Sequence, residues 1–74
     1  MYYVYEVYYE NKEEVQELIG IAKSEKDANH LLTKYWEYNF SLDPPKYWRG
    51  WNDHRGQWWD LGSWSSLFLI TKNE

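Results

Sequence analysis

The chain opens on MYYVYEVYYE, where aromatic or β-branched side chains fill almost every position and acids appear only at Glu6 and Glu10. Residues of this kind suit a pleated, partly buried surface, so the pattern predicts a strand over Tyr2–Glu10. The odd positions Tyr3, Tyr5, Val7 and Tyr9 carry no charge and are expected to point inward. The even face holds Tyr2, Val4, Glu6 and Tyr8. A strand with apolar residues on both faces belongs inside a sheet rather than at its edge. ENKEE, residues 10–14, reads as a polar turn. VQELIGIAK, residues 15–23, reads as a second strand in a hairpin with the first, with Gly20 marking a bulge or a close packing contact.

The period then changes. Ala28, Leu31, Leu32, Tyr35 and Trp36 recur at spacings that fall on one helical face. Ser24 is a suitable N-cap, with Asp27 three residues on as a capping-box variant. Glu25 and Asp27 also complement the positive end of the helix dipole. These signals predict a helix over residues 25–38, about 21 Å long. Asp43 and Pro44 each precede a proline and are pushed out of the helical region. YWRGW and QWWDL flank NDHRG as a hairpin closing on Gly56, the residue best able to take positive φ. WSSLFLITK supplies a last strand with residues 67–70 buried. The order β-β-α-(ββ)-β describes an α+β fold. It is one small domain over residues 1–74, an antiparallel-rich sheet with one helix packed on one face and the other face open.

Composition narrows what such a fold can do. A 74-residue chain buries about 60% of the surface it exposes when unfolded, which leaves little room for an enclosed catalytic pocket. It has no cysteine, so disulfides and Cys-based zinc sites are excluded. Sixteen aromatic residues, counted as 2 Phe, 6 Trp and 8 Tyr, are the remaining source of buried area. The N-terminus has no basic region, and LFLI is too short to span a bilayer. These features lead us to expect a cytoplasmic protein that does not engage membranes. A net charge of −4 disfavours direct binding to nucleic-acid backbones and suits a basic protein partner.

No catalytic pattern emerges. Asp53 and His54 sit in a predicted turn, where an aspartate caps backbone amides and a histidine is solvated. His30 falls on the polar helix face. The two histidines have no zinc spacing, the hydroxyl residues have no nucleophile partner pattern, and the glycines match no phosphate loop. The chain is therefore expected not to be an enzyme and to need no metal or cofactor.

The stretch GWNDHRGQWWDLGSW holds four of the six tryptophans. Its Gly50, Trp51, Gly56, Trp58, Trp59 and Leu61 resemble the choline- or glucan-binding repeat of bacterial surface proteins, in which aromatics from adjacent hairpins cage a choline or a sugar. The match occurs once, and we read it as hairpin chemistry, a tight glycine turn flanked by cross-strand tryptophans. A second pattern covers the first half of the chain: a Tyr-rich strand, a strand ending in Ile-Gly-Ile, and a helix start at Ser24, Glu25 and Ala28. It resembles a diffuse set of small α+β proteins from Firmicutes and their phages. That resemblance implies a mobile-element context and no active site.

The expected function is a protein-binding module, a phage or mobile-element protein that binds and inhibits a host protein through an aromatic surface. The candidate contacts are Trp48, Trp51, Trp58, Trp59 and Trp64, with Arg49, Asp53, Arg55 and Asp60 as a charged rim. Because neighbours on a strand point to opposite faces, one of Trp58 and Trp59 is expected to be structural and the other available. Two alternatives share these residues. One is an aromatic platform for a sugar, a nucleotide base or a quaternary amine. The other is a subunit that self-associates across a two-fold axis, a homodimer in the simplest case.

Overall fold

The computed structural model describes residues 1–40, 45 and 47–73. Strands β1 (Tyr2–Glu10) and β2 (Glu13–Ala22) form the expected hairpin. The turn is tighter than the expected ENKEE loop, because Asn11 and Lys12 both take positive φ, 52° and 67°. Two consecutive left-handed residues match the twist of the strands they join. Opposite this hairpin's turn end, the pairing slips between Val4 and Tyr5: Val4 faces Gly20 while Tyr5 faces Leu18, leaving Ile19 as the extra residue. The slip lies beside Gly20, where a Cβ would collide with Leu31 of the helix. Both readings of that glycine therefore hold.

Helix α1 (Glu25–Asn39) starts as predicted and runs one residue further. Ser24 is the N-cap, its hydroxyl accepting from the Asp27 backbone amide at 3.1 Å. Ala28, Leu32 and Trp36 are buried, and Leu31 and Tyr35 pack against the same cluster partly covered. The expected stop at Asp43 and Pro44 lies outside the described residues.

Strands β3 (Arg49–Asp53) and β4 (Gly56–Asp60) form the second hairpin, and β5 (Ser66–Lys72) completes a sheet ordered β2-β1-β5-β4-β3. All four pairings are antiparallel. β1 lies between β2 and β5, an interior strand as its two apolar faces implied. The last strand begins at Ser66, so Trp64 stands in the preceding loop and not in the strand. Gly56 has φ +146°, and a Cβ there would run into the Ile70 backbone.

The helix corrects the assignment of faces on β1. Val4, with Tyr2, belongs to the cluster of Ala28, Leu32, Trp36, Phe68 and Ile70 beneath the helix. The even positions are therefore the ones α1 covers. Glu6 shares that face and is accommodated by two donors, the Tyr35 hydroxyl and Ser66 Oγ. The odd positions look out of the other side, where Val7, Trp58 and Leu69 form a second, smaller cluster with Tyr5 and Leu67. Charge alone suggested the opposite assignment, because a lone carboxylate reads as a solvent-facing group until its partners are known.

Candidate functional site

Residues paired across strands share a face of the sheet. The register therefore draws one row across all five strands of the side away from the helix: Trp51, Trp58, Leu69, Tyr5 and Leu18. Among the described elements no second layer covers this row. Trp51 and Trp58 lie with parallel rings, 6.1 Å between centroids and 4° between planes. The Arg55 guanidinium caps the Trp58 ring at 4.6 Å.

This face is concave. Glu14 pairs with Tyr9 near the free end of the first hairpin. Arg55 sits in the turn of the second, level with the opposite end of β1. In a flat sheet the two would lie about 20 Å apart along the strand direction, at roughly 3.3 Å per residue. Yet Arg55 donates to both Glu14 carboxylate oxygens, at 2.7 and 3.3 Å. Only a strongly twisted, coiled sheet closes that distance. The coiling leaves a groove of about 320 Å³ between the two hairpins. Val7, Leu67 and Trp58 line it, Tyr9, Trp51 and Trp64 supply further rings, and Glu14, Asp53 and Arg55 supply charge.

The charged groups are well defined. Asp53 Oδ1 accepts from the Arg55 and Gly56 backbone amides at 2.8 and 3.3 Å, the turn cap expected of an aspartate there. Burial pushes its carboxyl upward, but the Trp58 indole, those two amides and His54 outweigh it, so it lies below the ordinary carboxylate range. The Trp58 N–H acts on Asp53 without closing a hydrogen bond of good geometry. Hydrogen bonds from Arg55 and Gln16 hold Glu14 low as well.

Of the nine predicted contact residues, the groove gathers Trp51, Asp53, Arg55, Trp58 and Trp64. Trp64 is 98% exposed, on a loop whose Ser63 hydroxyl accepts from the Ser65 and Ser66 amides. The other four lie elsewhere. Trp59 turns to the helix side, joins the main cluster and lies over Gly50, with Trp48 edge-on to it at 5.6 Å. Arg49 pairs with Asp60 at 2.7 Å.

Two of the nine are corrected outright. Trp58 is 4% exposed, so it forms the floor of the groove under Arg55 and Trp51 and is not a free contact. Asp60 is 8% exposed and is not a rim charge. It accepts from Tyr47, Arg49 and the Gly62 amide and so ties the hairpin to the next loop. The alternation of Trp58 and Trp59 is real, yet each ring packs into one of the two clusters.

Tyr9 and Glu14 were missed as groove residues. Tyr9, 70% exposed, is on the odd face of β1 that had been read as inward. Glu14 looked like part of a solvated turn. The register of the hairpin joins the two, but only the coiling of the sheet carries them to Arg55. Among the described residues no group of His, Cys, Asp or Glu is arranged to hold a metal ion, and no helix is long and apolar enough to cross a membrane. The chain matches no protein-family model, no curated protein and no solved structure.

Proposed function

We propose that this chain is a non-catalytic protein-binding module whose partner docks on the concave face of the sheet, through Trp64, Trp51 and Tyr9. The observation that carries the reading is Trp64, an indole left 98% exposed at the edge of an uncovered aromatic row. Exposed apolar surface of this kind marks interaction sites, and Trp and Tyr dominate binding hot spots. The groove, at about 320 Å³, is near the lower bound of roughly 300–1,000 Å³ for small-molecule pockets. Its most exposed rings stand at the rim, where a small ligand would leave them wet. A side chain in the groove, with the rest of a partner over the rim, covers them. The likeness of Ser24, Glu25 and Ala28 to mobile-element proteins supplies a setting in which that partner is a host protein and binding inhibits it.

The carboxylates beside the rings favour one second reading, a small quaternary amine held by the groove alone. Capture of a partner by the tagged protein from host lysate, compared between wild type and Trp64→Ala, tests the main reading. Trp64→Ala should melt with the wild type and recover about 30-fold less partner, the equivalent of about 2 kcal/mol. Undiminished recovery by both Trp64→Ala and Trp51→Ala rejects the concave face as the interface. Concentration-dependent dimerisation that Trp64→Ala abolishes would identify a second copy of the chain as the occupant.

A further inference from the structure

We propose, resting on the protein-binding reading above, that the groove is a seat for a basic side chain, an arginine or lysine presented by the partner. The groove already holds one cation, supplied by the chain itself. The Arg55 guanidinium lies over the Trp58 ring at 4.6 Å while donating twice to Glu14. That is the chemistry by which aromatic faces and carboxylates bind a guanidinium.

The remaining surface repeats the same ingredients without the cation. Trp51, Trp64 and Tyr9 offer rings, exposed at 38%, 98% and 70%. Asp53 offers a carboxylate held below its ordinary range by the turn that positions it. Glu14 and Asp53 against Arg55 leave the groove one negative charge in excess, so one incoming cation balances it. The chain's net charge of −4 draws a basic partner toward the same face. An acidic side chain finds no free counter-charge there, since Arg55 is engaged on both its ring and carboxylate sides, and a neutral one leaves the excess negative charge unbalanced.

The test titrates the intact protein with a capped Gly-Ser-Arg-Ser-Gly peptide and with the same peptide carrying citrulline, which keeps the shape and loses the charge. The indole N–H resonances of Trp51, Trp58 and Trp64 report occupancy. The arginine peptide should shift these three and spare Trp36. Citrulline should weaken binding at least tenfold. Asp53→Asn, which keeps an acceptor for the turn amides, should weaken the arginine peptide at least fivefold while staying folded with a modestly lower melting temperature, and Trp64→Ala should weaken it as much with an unchanged melting temperature.

Equal binding of the two peptides, or no shift at these indoles with the arginine peptide, overturns the proposal. If lysate capture still depends on Trp64 in that event, the protein-binding reading stands and only the basic side chain is lost. Saturable binding of tetramethylammonium as tight as that of the arginine peptide also overturns it, in favour of a small-amine site.

Discussion

At the scale of single residues, two positions carry separable consequences. Ser24 closes one of the first-turn amides of α1 that the helix itself cannot satisfy. Ser24→Ala should lower stability by about 0.5–2 kcal/mol, measured by urea denaturation with an unchanged slope. Gly50 is set by a neighbour and not by its own backbone. A Cβ there would come within 2.8 Å of the Trp59 ring, which packs partly covered against the main cluster and would have to shift to admit it. Gly50→Ala should therefore cost about 1–3 kcal/mol through overpacking. A melting temperature within error of the wild type would show that the Trp59 ring slides aside. The Gly-Trp pattern of this hairpin thus has a packing cause that needs no bound sugar or amine.

Among the elements, the β1–β2 hairpin is the one whose local chemistry is least suited to its geometry. Asn11 tolerates a left-handed backbone, but Lys12 at φ 67° pays the usual penalty of an L side chain there. Lys12→Gly should stabilise the hairpin by about 1 kcal/mol, seen as a higher midpoint in thermal or urea unfolding. The same change, Lys12 being exposed and outside the groove, should leave peptide binding unaltered. A loss of stability would mean that the turn is looser than the two positive φ angles indicate. The helix has a different balance: its cap and its apolar stripe agree, and Ala28, Leu32 and Trp36 all land in the core.

For the whole molecule, the charges that join distant elements set the pH response. Glu14 and Asp53 are depressed in the folded state, so they stabilise it above their unfolded pKa of about 4. That contribution disappears as pH falls through their folded values, and with it the tie between the two hairpins. Tyr35 acts on the other side. Burial and the hydrogen bond to Glu6 raise its hydroxyl well above 10.0. Its contribution is complete below pH 10 and is lost as pH rises, because the unfolded chain then releases a proton that the folded one retains. Stability should fall below about pH 4 and again above about pH 10. Tyr35→Phe should lose stability at neutral pH and flatten the alkaline limb, in melting curves recorded from pH 3 to 11. An alkaline limb as steep in Tyr35→Phe as in the wild type would assign that limb to other tyrosines.

The local features of this fold were written in neighbouring residues. Strand, cap, helical stripe and Gly56 turn each depend on contacts within a few positions, and a single chain carries that information in its spacing. Which β1 face meets the helix was not local, since it depended on Glu6 finding Tyr35 and Ser66, 29 and 60 residues away. The groove was legible in part. Trp51, Asp53, Arg55, Trp58 and Trp64 fall within one stretch rich in tryptophan, so composition pointed to them together. Whether a given ring there was floor, rim or core followed from the sheet register, which places Trp58 and Trp59 on opposite sides, the first buried and the second partly covered, and leaves Trp64 outside any strand. Tyr9 and Glu14 joined the site only because the sheet coils. Coiling accumulates small twists over five strands, so no short stretch of sequence encodes it, and the tertiary structure alone decides which distant side chains it brings face to face.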